Sequence, residues 1–222
     1  MKPSETAGSD KKLACIFLAL FIPLLLNGFY NTAIAEYKWI YWLVEILTWV
    51  IIPAAGVVFF MTREERTASG LFIPKTSREQ IHLIILCVPV SIACYYIYTY
   101  SSAWADGYFA DTAEPDLIAY TDILPNDGWK KIIVNLYFAF SAGIVEEIYF
   151  RGLLRQLFRN FSGIIFVSAS SLLFSVIHWE GGLQNLVPTF IFGVVTALYA
   201  LRFKNLIPLI LSHAATNYIV FS

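Results

Sequence analysis

The 222 residues are 58% hydrophobic and 17% aromatic but only 14% charged, with a mean hydropathy of +0.65, whereas an ordinary soluble domain carries about 25% charged residues. Fifteen Lys and Arg stand against sixteen Asp and Glu, a formal charge of -1, so no basic field exists to hold a nucleic-acid backbone. A soluble globular domain and a nucleic-acid-binding protein are both excluded.

A bilayer core about 30 Å thick takes about 20 mainly apolar residues per helix, and runs of that kind recur along the chain. Residues 13–35 hold no Asp, Glu, Lys, Arg or His; 39–62 is interrupted only by Glu45; 83–105 is uncharged; 132–145 leads into Glu146 and Glu147; then follow 161–177, 181–201 and 206–222. Backbone polar groups find no water partner in lipid, so the runs must be helices or a closed barrel. Continuous apolarity without period-2 alternation selects helices. The expectation is an all-α, polytopic membrane protein of about seven transmembrane helices forming one integral domain over 1–222. Three N-terminal spans occupy 13–105, an acidic non-cytoplasmic loop 106–131, and a catalytic core the last four spans, 132–222.

Ala33-Ile34-Ala35 has the look of a signal-peptide cleavage site, but the apolar stretch before it exceeds the 7–15 residues of a signal-peptide core, so it reads as an anchor. Basic residues test the order of the spans, because Lys and Arg collect on cytoplasmic loops. Eleven of the fifteen fall on one side: Lys2, Lys11, Lys12, Arg63, Arg66, Lys75, Arg78, Arg155, Arg159, Arg202 and Lys204. Only Lys38, Lys130 and Lys131 fall on the other, and Arg151 is the fifteenth. This places the N-terminus in the cytoplasm and the C-terminus outside. Cys15, Cys87 and Cys94 sit in apolar runs without ligand spacing and read as buried small hydrophobes rather than a disulfide or zinc framework. Trp39, Trp42, Trp104, Trp129 and Trp179 fall near predicted boundaries, as interface anchors do, and His82 sits at the membrane edge.

Ionisable side chains within spans are costly and are functional candidates by default. Here they are Glu45, Glu146, Glu147, Arg151, His178 and His213, with Asn217 a strongly polar companion. Glu45 either lines a cavity or pairs at a helix contact. Glu147 and Arg151, four residues apart, share a helix face and can pair. Glu146, rotated about 100° from Glu147, lacks that partner and is the better candidate for a general base. Phe174 and His178, and His213 and Asn217, repeat the four-residue spacing. With a turn near 161–163, Glu146 and His178 lie at depths differing by only about 3 Å along an antiparallel hairpin. A carboxylate, two imidazoles and an amide around a hydrated cavity suit hydrolysis of an amide bond: Glu146 takes a proton from water held by His178, and His213 and Asn217 donate to the oxyanion. The same residues leave a second option open, a divalent metal such as zinc held by Glu146, His178 and His213.

In order and spacing, Glu146-Glu147-xxx-Arg151, Phe174-xxx-His178 and His213-xxx-Asn217 resemble the three motifs of the CPBP intramembrane proteases. That family contains the type II CAAX prenyl endopeptidases, the bacteriocin-processing and immunity Abi proteins, and proteins like the lysostaphin-resistance factor. The resemblance runs from about residue 132 to 222. It implies a helical membrane core with Glu146, Glu147, His178, His213 and Asn217 at the active site and Arg151 in support. The partners it implies are the lipid bilayer and a protein or peptide substrate, prenylated or otherwise membrane-anchored. Both metalloprotease and metal-free glutamate mechanisms are described for the family, and Asn217, a poor zinc ligand but a good donor, favours the latter. Two other functions compete: a proton-coupled membrane carrier, since intramembrane Glu and His also build relays, and a non-catalytic immunity or scaffold protein that keeps the motifs for packing.

Overall fold

A computed structural model describes residues 3–26, 38–62, 77–110, 125, 128–203, 205–220 and 222, and every described segment longer than a turn is helical. Helix α1 is Pro3–Leu25. Helix α2 is a continuous rod of Lys38–Ile46, a π segment Leu47–Ile51, Ile52–Ala55 and a second π segment Gly56–Phe60. Helix α3 is Ser77–Tyr108. Helix α4 joins Gly128–Glu146, a π segment Glu147–Leu153 and Leu154–Leu157. Helix α5 is Gly163–Val176, a 3-10 turn Trp179–Gly181 follows, and α6 is Gly182–Arg202 with α7 Ile207–Val220 after it.

The protein is an integral membrane protein: Trp39–Val58, Ile81–Tyr108, Gly128–Leu157 and Trp179–Arg202 are long and apolar enough to cross a bilayer, while α5 and α7 are shorter apolar helices. The expected count of seven spans is therefore not reached among the described residues. In α1 the charged Asp10, Lys11 and Lys12 take up the first half of the rod, and its continuation over 27–35 lies outside the described residues. The acidic loop expected over 106–131 lies largely outside them too, but its two ends are helical: residues 106–108 close α3 and residues 128–131 open α4. Helix α4 continues past Glu147 to Leu157, so the fourth run is longer than its apolar stretch of 132–145.

Helix α7 packs between α3 and α4, while α6 packs between α3 and α5. A close approach lies at Gly143 of α4, where an added Cβ would stand 3.0 Å from both Ala214 N and Ile210 O of α7. A second lies at Gly193 of α6, 3.0 Å from Ser171 Cα of α5 by the same measure. Small residues thus let backbones meet where lipid gives helices no apolar reason to associate. Hydroxyls add polar ties: Ser91 of α3 to Ser212 of α7 at 3.0 Å, and Ser175 of α5 to the Leu186 carbonyl of α6 at 2.6 Å. Helix α1 lies along the π segment of α4, with Phe17 edge-on to Phe150 at 5.7 Å. An exposed Asp10–Arg159 pair at 2.6 Å holds the first half of α1, and the Trp179 indole donates to the Leu25 carbonyl at 2.7 Å at its C-terminal end.

Two aromatic anchors are corrected by these contacts. Trp39, Trp104 and Trp129 stand exposed as anchors do, but Trp179 is half-buried and bonded to α1, and Trp42 is half-buried and stacked on Phe138 at 5.7 Å. Of the cysteines, none is disulfide-bonded; Cys94 is buried as expected, whereas Cys15 is exposed on the apolar surface.

Candidate active site

The π segment of α4 is the centre of the bundle. Residues 147 and 149–154 are all buried, which an ordinary amphipathic helix with one core-facing stripe does not achieve. Neighbours close on it from every side: α1 through Phe17, α2 through Pro53, α5 through Ser170 and Phe174, α6 through Thr196 and α7 through His213. A π turn widens the helix by one residue and re-aims the side chains that follow, a device frequent at functional sites. Ser170 donates to the Phe150 carbonyl at 2.9 Å, giving a polar partner to backbone inside the segment.

Glu147 and Arg151 are completely buried, at 0% exposure each. Glu147 Oε1 accepts from His213 Nδ1 at 2.9 Å, and its Oε2 lies 3.5 Å from Arg151 Nε. The guanidinium lies over the Phe174 ring, 4.2 Å from its centroid, and donates from one Nη to Thr196 Oγ1 at 2.6 Å. Both charges of this buried pair therefore have partners, as a buried ion pair requires to persist.

Glu146 is differently placed. It too is buried, yet its Oε2 makes no hydrogen bond among the described residues and lies 3.5 Å from His213 Nε2. The His213 ring stands between the two carboxylates, one nitrogen held by Glu147 and the other turned to Glu146. Phe192 backs it at 4.9 Å and Phe174 at 6.0 Å.

His178 lies past the end of α5, in the turn before the 3-10 segment, and not on a helix interior as the four-residue spacing suggests. Its Nδ1 is 2.8 Å from the Phe174 carbonyl. A carbonyl only accepts, so Nδ1 carries the proton and Nε2 is left with its lone pair. The ring is half-buried and 5.0 Å from that of Phe174. Asn217 is half-buried one turn beyond His213, without a hydrogen bond to another described residue.

The structure thus brings Glu146, Glu147, Arg151 and His213 into direct contact, with His178 attached through Phe174. Glu45 shares no contact with this cluster; it is buried in α2 and faces Tyr137 of α4 electrostatically. His82 is exposed near the start of α3. Among the described residues no three His, Cys, Asp or Glu converge on a point where an ion could sit, which does not favour the set Glu146, His178 and His213 as metal ligands. Four neighbours escape a reading by charge alone, namely Phe174 as a platform for Arg151, Phe192, Ser170 and Thr196. A hydroxyl or a ring in an apolar helix carries no signal of its own in sequence, because both serve equally as packing.

Residues 128–219 match the family model described as type II CAAX prenyl endopeptidase Rce1-like. The match covers Glu146, Glu147, Arg151, His178, His213 and Asn217 and bears out the resemblance carried by the three motifs. Comparison with curated proteins finds no match. Comparison with solved structures finds none either.

Proposed function

We propose that this chain, whose residues 128–219 form an Rce1-like domain, is an intramembrane endopeptidase in which Glu146 activates water. The observation that carries the proposal is the inequality of the two adjacent carboxylates. Glu147 accepts a hydrogen bond from His213 at 2.9 Å and faces the Arg151 guanidinium at 3.5 Å, whereas Glu146 has no cation four residues on and lies 3.5 Å from His213 Nε2 without a hydrogen bond at its Oε2. A base must have a lone pair to spare.

Glu146 takes one proton of a water molecule whose other proton is held by the unprotonated Nε2 of His178. The water oxygen bonds to the scissile carbonyl carbon, and the carbonyl electrons move to its oxygen. His213, with Nδ1 anchored on Glu147, presents Nε2–H to that oxyanion when both ring nitrogens carry protons; Asn217 adds an amide donor from the next turn. Glu146 then passes its proton to the leaving amine as the C–N bond breaks. Glu147 and Arg151 fix the His213 ring and do not exchange protons with substrate. The family description supports a prenylated CAAX peptide as substrate, and the distribution of basic residues supports a cytoplasmic N-terminus.

The test is turnover of a farnesylated peptide ending in a CAAX sequence by purified protein in proteoliposomes. Glu146→Gln keeps the shape of the side chain and removes the base, and a loss of about 10²–10⁴ in kcat is expected. Unchanged turnover in that variant overturns the proposal. Chelation is expected to leave kcat unaltered, and a loss restored by zinc would replace the glutamate mechanism with the metal one.

A further inference from the structure

Thr196 lies outside all three motifs, yet it makes the shortest polar contact of the buried guanidinium. We infer that Thr196 is a positioning residue for the peptidase reaction, holding Arg151 and, through Arg151 and Glu147, the ring of His213. The inference rests on the peptidase reading above.

Its hydroxyl is fully buried on α6. The hydroxyl proton is directed into its own helix, to the Phe192 carbonyl at 2.9 Å or that of Gly193 at 3.2 Å. A hydroxyl has a single proton and two lone pairs, so toward α4 it can only accept. What it accepts is an N–H of Arg151, at 2.6 Å, the short distance of a hydrogen bond assisted by charge. The other contacts of the guanidinium fix its orientation less tightly: the Phe174 ring is a flat face over which it can turn, Glu147 Oε2 is 3.5 Å away, and neither Nε nor the second Nη makes a hydrogen bond among the described residues. Thr196 is thus the point that stops rotation of the guanidinium over the ring. Arg151 in turn sets Glu147, and Glu147 sets His213 at 2.9 Å.

Two substitutions separate this role from packing. Thr196→Val preserves volume and β-branching and removes the acceptor; Thr196→Ser preserves the acceptor and removes a methyl group. A residue needed only for packing tolerates Val better than Ser, and a positioning hydroxyl shows the reverse order. In proteoliposomes with the farnesylated CAAX peptide, T196V is expected to lower kcat by about tenfold to a hundredfold, as a displaced catalytic group does, with KM changed by less than about twofold because no substrate contact is lost. T196S is expected to stay within about threefold of the wild type in kcat, since the acceptor remains. Val equal to wild type, or Ser as impaired as Val, overturns the inference.

A readout independent of turnover is the ¹⁵N spectrum of histidine-labelled protein in micelles, with the His213 signals assigned by their loss in H213Q. The Nδ1 resonance is expected to move in T196V and return in T196S; a resonance unmoved in T196V overturns the inference. If the wild type and E146Q are alike in failing to cleave, the peptidase reading falls while the spectrum still decides whether Thr196 positions His213.

Discussion

Helices α3 and α4 are both long enough to cross a bilayer, but they use their surfaces in opposite ways. Of the apolar window in α3, 6% is buried inside the protein; in α4 the share is 39%. Ile81, Ile85, Val88, Ile92, Tyr96 and Tyr100 form an exposed stripe along α3 at helical spacing, facing where lipid would lie. Its other face packs along α6 and α7, with buried Cys94 and the Ser91 hydroxyl on Ser212 among the contacts. Helix α4 carries two carboxylates and a guanidinium that lipid cannot accommodate, so five other helices close around it. Apolar length brings a helix into the membrane, and polar side chains decide which helix becomes the centre.

The largest disturbance of that contrast is expected from Arg151→Leu. It strands Glu147 as a buried carboxylate without its cation, at about 3–5 kcal/mol, read as a loss of chemical-denaturation midpoint in detergent. Adding Glu147→Leu removes the stranded charge and is expected to recover most of the stability without recovering turnover. A double variant no more stable than the single would mean that the pair is not the organising contact. Next comes Gly143→Leu. The new side chain meets backbone atoms of α7 at 3.0 Å, atoms that cannot swing aside, so overpacking of about 1–3 kcal/mol is expected, together with loss of turnover as Glu146 and His213 separate. Thermal unfolding and kcat check both parts.

Ser170→Ala is smaller. It removes the donor at the Phe150 carbonyl within the π segment, worth about 0.5–1.5 kcal/mol in unfolding free energy. Trp179→Phe keeps the ring and drops the bond to the Leu25 carbonyl; faster amide hydrogen exchange near residues 22–26 with little change in global stability is expected, and unchanged exchange would show that α1 is held by its apolar face alone. Least of all is expected on the α3 stripe, where Ile85→Leu or Ile92→Leu should fall within about 0.5 kcal/mol of wild type.

Charged residues in apolar runs made much of the candidate site readable from sequence. Glu146, Glu147, Arg151 and His213 stand out because lipid makes each of them expensive, and the same expense forces them into contact. The helical character and the order of the rods were equally visible, since apolar runs without alternation leave few alternatives. What could not be read is phase. Nothing in Glu-Ile-Tyr-Phe-Arg-Gly-Leu announces a π segment, because the extra residue per turn is imposed by partners on α1, α5 and α6 that are distant in sequence. Thr196 and Ser170 escaped for a related reason: a hydroxyl can always satisfy itself on the carbonyl one turn back, so its second partner is invisible until the helices are in place. Among the described residues four helices are long enough to span and α5 and α7 are shorter apolar helices, so apolarity alone did not give the length of each span.

That shortness has a consequence for water. Helix α5 has 14 residues, about 21 Å at 1.5 Å per residue, so from the end of the bundle that carries Arg155 and Arg159 it halts before the far edge of a hydrocarbon layer about 30 Å deep. The turn that follows, with His178 at its head and Gly182 at φ 60 on its exit, leaves non-helical backbone at that level. Such backbone is tolerated at depth only where protein or water meets its amides and carbonyls. That backbone is met in part by the protein itself, the His178 amide by the Ser175 carbonyl at 2.9 Å, and in the proposed peptidase water reaches the His178 ring from the side on which α5 halts.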